Sequence, residues 1–298
     1  MDQIKIIPKN EWTKNYKVAP IYLKSKLENQ SINYLKKQNY LDFKKIAQIL
    51  KLNFNKKYPL GFVLKNKKNI VGFVGTLFSE RKINKKNYKF CSIHTWVVNK
   101  EDRICSHMLF DILIKNKYVI TVYSARNELC PTFEKMGFDI QIMKYRIVSL
   151  VNLFSFNNKN YLIEKNKTKI KNKLTKENWK IYQDHLNPSF IKFLVFDERK
   201  KSNFSFIISK IIRKKKYFNV MNILYASNEK FLKENWNSIN NKLSKEFKVS
   251  FCGQYFLKEK NCSIPNNIIL SLNFKKNICV KNFPTKFKFD TIYSETIY

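Results

Sequence analysis

Apolar residues recur along this chain with two different periods, and the switches between them mark its elements. Residues 41–52 carry Phe43, Ile46, Ile49 and Leu50 on one face at helical spacing, and residues 21–38 read as a helix before them. Two runs rich in β-formers follow, Tyr58–Leu64 and Ile70–Ile83, joined by the polar turn Lys65–Asn69. That arrangement is a hairpin signal. A third run, Tyr88–Val98, holds Phe90, Ile93, Trp96 and Val97. The period then changes. Ile104, Met108 and Ile112, with Leu109 and Leu113 beside them, predict the apolar stripe of a helix whose polar face is His107, Asp111 and Lys115. A strand (Tyr118–Ser124), a helix (Asn127–Lys135), a Met136-Gly137-Phe138 turn and a strand out to Val151 complete this half. Gly137 stands where a helix ends in a left-handed residue. A short apolar strand, Ile4–Ile7, opens the half.

Asn157–Asn172 is polar and is expected to be a linker. Beyond it the pattern predicts a helix (Lys176–His185), three β-runs (Phe190–Phe196, Phe204–Ile212, Tyr217–Tyr225), a long helix (Glu229–Phe247) and a strand (Val249–Phe256). Ile268–Tyr298 has further β-like pieces. The order hairpin, strand, helix, strand thus occurs twice, without any echo at the level of residues. The expected organisation is two domains, 1–156 and 173–298, of the α+β class: mixed, largely antiparallel sheet flanked by helices.

Composition narrows the function classes. With 44% apolar and 15% aromatic residues in 298, the chain can bury a core. No stretch approaches the roughly 20 apolar residues that span a bilayer. The opening MDQIKIIPKN lacks the basic-then-apolar pattern of a signal peptide, so a cytoplasmic protein is expected. Six scattered cysteines without a C-x-x-C pair, and His94, His107 and His185 at no ligand spacing, argue against metal. The net charge of +36 invites a nucleic-acid reading. Only six of the 58 basic residues are arginine, however, and arginine is the side chain that forks onto phosphates and base edges. Lysines spread evenly along the chain read as a solvated surface.

Chemistry concentrates at one place. The stretch WVVNKEDRICSHMLFDILIKN, residues 96–116, runs from strand through a charged loop into a helix, and VITVYSARNELCPTFEKMGF, residues 119–138, follows it. Antiparallel strands, a strand opening into a helix, then strand, helix and "GF" turn: this order resembles the GNAT acyltransferase superfamily. The likeness covers residues 58–150 well and the first 50 more loosely. It implies that the strand before the helix splays from its neighbour to admit the pantetheine arm of an acyl-CoA. It also implies that the following loop turns amides toward the CoA pyrophosphate, using the unsatisfied N–H groups and positive dipole end of a helix.

Carried onto this sequence, the resemblance makes Trp96, Val97, Val98 and Asn99 the splayed strand end, with an amide near Val97 facing the oxyanion. Arg103 opens the loop, which continues through Ile104, Ser106, His107 and Met108. Ser106 and Met108 stand at the positions where the family has glycines, and Ser106 can still cap the helix. Asn127 matches the asparagine that begins the next helix. Phe133 takes the position where the family often has a thiolate-protonating tyrosine, which leaves Tyr123 and Ser124 as candidate donors. For the base, His94 has a suitable reference pKa of ~6.5, while Glu80 beside Arg81 reads as an exposed ion pair. The implied function is transfer of an acyl group from an acyl-CoA co-substrate to an amine or hydroxyl of a small molecule or sugar. Two alternatives stand beside it: a catalytically inactive binding module of the same fold, and a charge-driven nucleic-acid binder. In a tandem protein of this kind the second half, which has no phosphate loop between Ala226 and Phe231, would be a degenerate copy.

Overall fold

The computed structural model describes residues 13–52, 56–83, 86–150, 160–214, 218–257, 262–265, 271–284 and 290–294. The expected strand Ile4–Ile7 lies outside them. The chain falls into two compact units, one of residues 1–124 with 280–284 and 298, the other of 125–279 with 285–297.

In the first unit, β1 (Tyr16–Ile21), β2 (Gly61–Asn66), β3 (Asn69–Ile83) and β4 (Lys86–Val98) pair in that order, each antiparallel to the next. β5 (Val119–Val122) then joins β4 in parallel. A parallel return needs a crossover, and α3 (Met108–Lys115) supplies it. Side chains alternate across a strand, and β4 shows where that leads. Val97 packs with Val63, Phe73, Tyr34, Leu35 and Ile46, and so faces α1 (Lys26–Lys36) and α2 (Phe43–Leu50). Trp96 points the other way, edge-on to Phe110 of α3 at 4.7 Å. Both N-terminal helices start where the sequence provides an acceptor: Ser25 and Asp42 side chains receive the amides of Glu28 and Lys45.

The second unit repeats this plan. β8 (Ile191–Asp197), β9 (Phe204–Lys214) and β10 (Phe218–Ala226) are antiparallel, and β11 (Phe251–Phe256) returns in parallel to β10 after α7 (Glu229–Glu234) and α8 (Trp236–Phe247). β6 (Asp139–Ser149) pairs with β11 and β7 (Tyr161–Glu164) with β8, both antiparallel. The long helix expected over Glu229–Phe247 is broken at Asn235, whose side chain gives its amide to Phe231 O at 2.8 Å and takes the Tyr161 hydroxyl at 2.6 Å. The stretch expected as linker contains β7 and α5 (Lys167–Lys173), capped by the Asn166 side chain. Tyr161 and Ile170 are nevertheless buried, and Leu162 and Ile163 half-buried. α6 (Lys176–Asp184) follows the predicted bounds closely, while α4 (Cys130–Lys135) begins three residues later than expected, after a 3-10 turn over Asn127–Leu129. Gly137, at φ 74°, ends α4 as expected, with Phe138 N returning to Phe133 O at 3.0 Å. β12 (Ser271–Lys281) begins in the second unit, and its last two residues are counted with the first.

Candidate functional site

The site expectation rests on whether β4 and β5 part. They pair only at Phe90–Val119, Cys91–Ile120 and Ser92–Thr121, although β4 runs on to Val98. From Ile93 to Val98 the β4 edge that faced β5 therefore has no strand partner among the described residues. Unpaired strand edges present a row of N–H and C=O groups, a template for any extended ligand that carries amides. A bulge lies in this free stretch. The pairing of β4 with β3 passes from Gly75–His94 directly to Val74–Trp96, so Thr95 is the extra residue. Its φ is 50°. A β-branched residue in the left-handed region carries strain of order 1–3 kcal/mol, which the surrounding pairs must hold in place.

His94 lies beside the bulge and is 2% exposed. Its Nδ1 is 3.1 Å from the Thr95 hydroxyl, and Nε2 has no hydrogen-bond partner among the described residues. Burial lowers its pKa to about 3. The imidazole is thus neutral at physiological pH, and it is a weak proton acceptor there. The ring occupies the space that a side chain at residue 75 would need: a Cβ on Gly75 would overlap His94 Cε1 and Nε2. Gly75→Ala is expected to destabilise the chain by about 1–3 kcal/mol through this overlap. In a Gly75→Ala, His94→Ala double variant the glycine substitution should cost much less, since its obstacle is gone. Denaturant titration of the four chains reads this, and strictly additive losses would place the obstacle elsewhere.

The connection after β4 is built differently from a glycine loop. Lys100–Cys105 forms a 3-10 helix, and Ser106 N donates to Arg103 O at 3.0 Å and Leu109 N to Ser106 O at 3.2 Å. Those two amides are occupied within the turn. Side chains pin the turn from outside. Asp102, 8% exposed, accepts from the Tyr16 hydroxyl at 2.6 Å and from Asn66 Nδ2 at 3.3 Å. Tyr16, holding a proton against that carboxylate, has its pKa raised to about 12. Asn99 gives its amide to Val71 O at 2.8 Å, and its Oδ1 accepts from Tyr34. Burial pushes the Tyr34 phenol up as well. Sequence reasoning does not find these partners, because Tyr16 and Asp102 are 86 residues apart and no local motif joins them.

The remaining candidates divide. Arg103, Ile104 and His107 are exposed, and Ser106 and Met108 are half-buried. The predicted stripe is corrected here: the helix begins only at Met108 and buries Leu109, Phe110 and Leu113, while Ile104, in the 3-10 turn, is 72% exposed. The His107 Nδ1 hydrogen donates to Ile104 O at 3.0 Å, which leaves Nε2 facing outward. Tyr123, just after β5, is buried and Ser124 exposed, both in the first unit. Asn127 and Phe133 belong to the second. Asn127 Oδ1 accepts from Asn277 Nδ2 at 3.3 Å, and the Phe133 ring packs edge-on against Phe138 at 5.3 Å. Glu80 accepts from the Tyr58 hydroxyl at 2.8 Å, and that phenol stacks on Phe78 at 4.7 Å. Among the described residues no group of three or more His, Cys, Asp or Glu is placed to hold a metal ion, and no helix is long and apolar enough to cross a membrane.

No protein-family model matches this sequence, and no curated protein sequence matches it. Solved structures do match it. A GCN5-related N-acetyltransferase from Anabaena variabilis superposes with a TM-score of 0.57 at 10% identity, over 89% of this chain and 72% of that one. A probable N-acyltransferase from Enterococcus faecalis gives 0.54 at 12% identity, over 89% and 71%. The chain has the GNAT fold. Saccharomyces cerevisiae N-myristoyltransferase with bound myristoyl-CoA gives 0.50 at 12% identity, over 95% of this chain and 82% of its own. The GNAT fold and the mixed, mostly antiparallel class were both expected from the order of elements around Trp96–Asn116, and both hold.

Proposed function

We propose that this GNAT-fold chain is an acyl-CoA-dependent acyltransferase, with its acyl-donor site on β4 of the first half. The observation that carries the reading is the short β4–β5 pairing, which ends at Ser92 while the bulged strand β4 runs on to Val98. An acyl-CoA arm bears two amides, which suit an unpaired strand edge. Similarity of fold to acetyl- and myristoyltransferases supports the same choice. In this reading Trp96–Asn99 hold the arm, and Lys100, Arg103 and His107, all exposed on the turn that follows, meet the phosphates with side chains where a glycine loop would use amides. The transfer forms a bond from an amine or hydroxyl of a small molecule or sugar to the acyl carbon and releases the CoA thiol. His94 serves as a neutral hydrogen-bonding group, and Tyr123 or Ser124, in the turn just after β5, would pass a proton to the thiolate. The repeat of hairpin, bulged strand, helix and parallel return supports two GNAT-like halves in tandem, one in each compact unit, the second without a phosphate loop.

Acetyl-CoA and myristoyl-CoA at millimolar concentration are expected to raise the melting temperature, and Arg103→Ala to weaken that shift. No shift with either would sink the reading. A second reading keeps the binding and drops the chemistry. It is favoured by the lowered pKa of His94 and by Phe133, which has no proton to give. Release of free thiol from a bound acyl-CoA in the presence of a panel of amines and amino sugars decides between the two. Binding without release would support the module.

A further inference from the structure

The segment Asp290–Ser294 is not used by the proposed activity, and its surroundings are specific. It forms neither helix nor strand, yet its residues are 7%, 1%, 0%, 8% and 0% exposed in order. Irregular backbone is seldom buried, because each of its polar groups then needs a partner. The partners here are precise in kind. Thr291 N donates to Leu224 O at 3.4 Å. His185 Nε2 lies 2.8 Å from Ile292 O and its Nδ1 2.8 Å from Ile181 O, and the Tyr293 hydroxyl donates to Asp184 Oδ2 at 2.6 Å. The His185 ring, fully buried, lies edge-on to both Phe190 and Tyr293. Ser294 closes the segment on itself through Thr291 O, with Oγ at 2.8 Å.

Leu224 is the informative partner. The pairing of β10 with β9 passes from Ile223–Ser209 to Tyr225–Ile208, so Leu224 is an extra, bulged residue. β4 skips Thr95 against β3 in the same way. Ile223 is also the last β10 residue paired with β11, as Ser92 is the last β4 residue paired with β5. Both halves therefore carry the same device: a central strand that loses its parallel neighbour and bulges within a few residues of the loss. In the first half no strand of the described residues other than β5 lies next to β4 on that side. In the second half the bulge carbonyl already holds an amide, and that amide belongs to the chain itself.

We infer that Asp290–Ser294, a turn closed by Ser294 N on Thr291 O at 3.3 Å, is the built-in occupant of a second ligand gap at the β10 bulge. The second half is thus closed to acyl-CoA by occupation, and the protein binds one acyl-CoA, not two. The occupation stands on the contacts around Leu224, His185 and Asp184. The count of one rests on the proposed function.

Hydrogen exchange on the full chain, with and without millimolar acetyl-CoA, tests both parts, together with a calorimetric titration. Amides 291–294 should exchange at least ~100-fold more slowly than an unstructured chain. Acetyl-CoA should leave them unchanged, protect residues 93–99, and titrate to one equivalent. Thr291→Pro removes the donor to Leu224, and should speed exchange across the segment by roughly tenfold, the worth of one hydrogen bond, with residues 93–99 responding as before. Fast exchange of 291–294 in the free protein, their deprotection by acetyl-CoA, or a second equivalent would each overturn the inference, whether or not the proline variant folds. Slow exchange at 291–294 with no response at 93–99 and no titration would count against the acyl-CoA reading and for the occupied gap.

Discussion

Lowering the pH from 6.5 to 4 will cost the first unit ~3 kcal/mol through His94 alone, at 1.36 kcal/mol per pH unit while only the unfolded chain takes up the proton. The sign follows from the buried ring. Its pKa is lowered from 6.5 to about 3 in the fold, so the unfolded state binds more protons throughout that interval. The stability is fully present above pH 6.5 and drains away as the pH falls toward the folded value. Burial alone sets this shift, and nothing in the pocket favours the imidazolium. Urea titrations at pH 7, 5 and 4 on the wild type and His94→Gln isolate it from the carboxylates that titrate in both. The glutamine variant should begin less stable at pH 7 and then lose less on acidification. Parallel pH dependences would remove His94 as the source. The same ring bears on chemistry: if turnover occurs, a pH profile without a limb near 6.5 would agree with a His94 that stays neutral.

Trp236→Ala should be the most damaging single truncation of the second unit, at about 3–5 kcal/mol. The indole opens α8, is 1% exposed, and belongs to the core with Phe193, Met221, Ile239 and Leu243. Those neighbours sit on β8, β10 and α8, rigid elements that cannot collapse into the space left behind. Its Nε1 has no hydrogen-bond partner among the described residues. Trp236→Phe therefore removes bulk but also removes an unmet donor, whose burial costs ~1–3 kcal/mol. Equilibrium unfolding should show the phenylalanine variant losing less than half of what the alanine variant loses. Equal losses would mean that the indole nitrogen is satisfied.

The sequence made the fold legible wherever period and partner agreed. The hairpin 58–83, the run to Val98 and the glycine end of α4 follow from local rules, and each appears within a few residues of its expected bounds. The polar stretch 157–172 did not announce β7 or α5, because only Tyr161, Ile163 and Ile170 there pack on or within the core and neither period can be read from so few points. β1 was hidden for a related reason. YKVAPI alternates poorly and takes its register from β2. Within the site, the strand and the helix were readable but the state of the turn between them was not. Whether Ser106 N faces a ligand or Arg103 O depends on what pins the turn, and Asp102 is pinned by Tyr16 and Asn66, which come from other strands. The same holds for His94: its type suggested a base, and its burial over Gly75, which only the pairing of β3 with β4 brings there, made it a neutral group.

Val280–Pro284 group with the first unit although 155 residues separate them from Ser124, and Asn282 Nδ2 reaches Tyr118 O at 2.9 Å. During synthesis at about 5–20 residues per second, the bulk of the first unit would wait roughly 10–30 s for that piece. Most of the second unit emerges in the interval, yet its own buried segment Asp290–Ser294 follows Val280–Pro284, so each unit is completed only by residues made after position 279. A chaperone would then meet an almost complete N-terminal sheet with one polar clasp still missing at Tyr118, and cutting the gene between the units would leave that clasp on the wrong fragment.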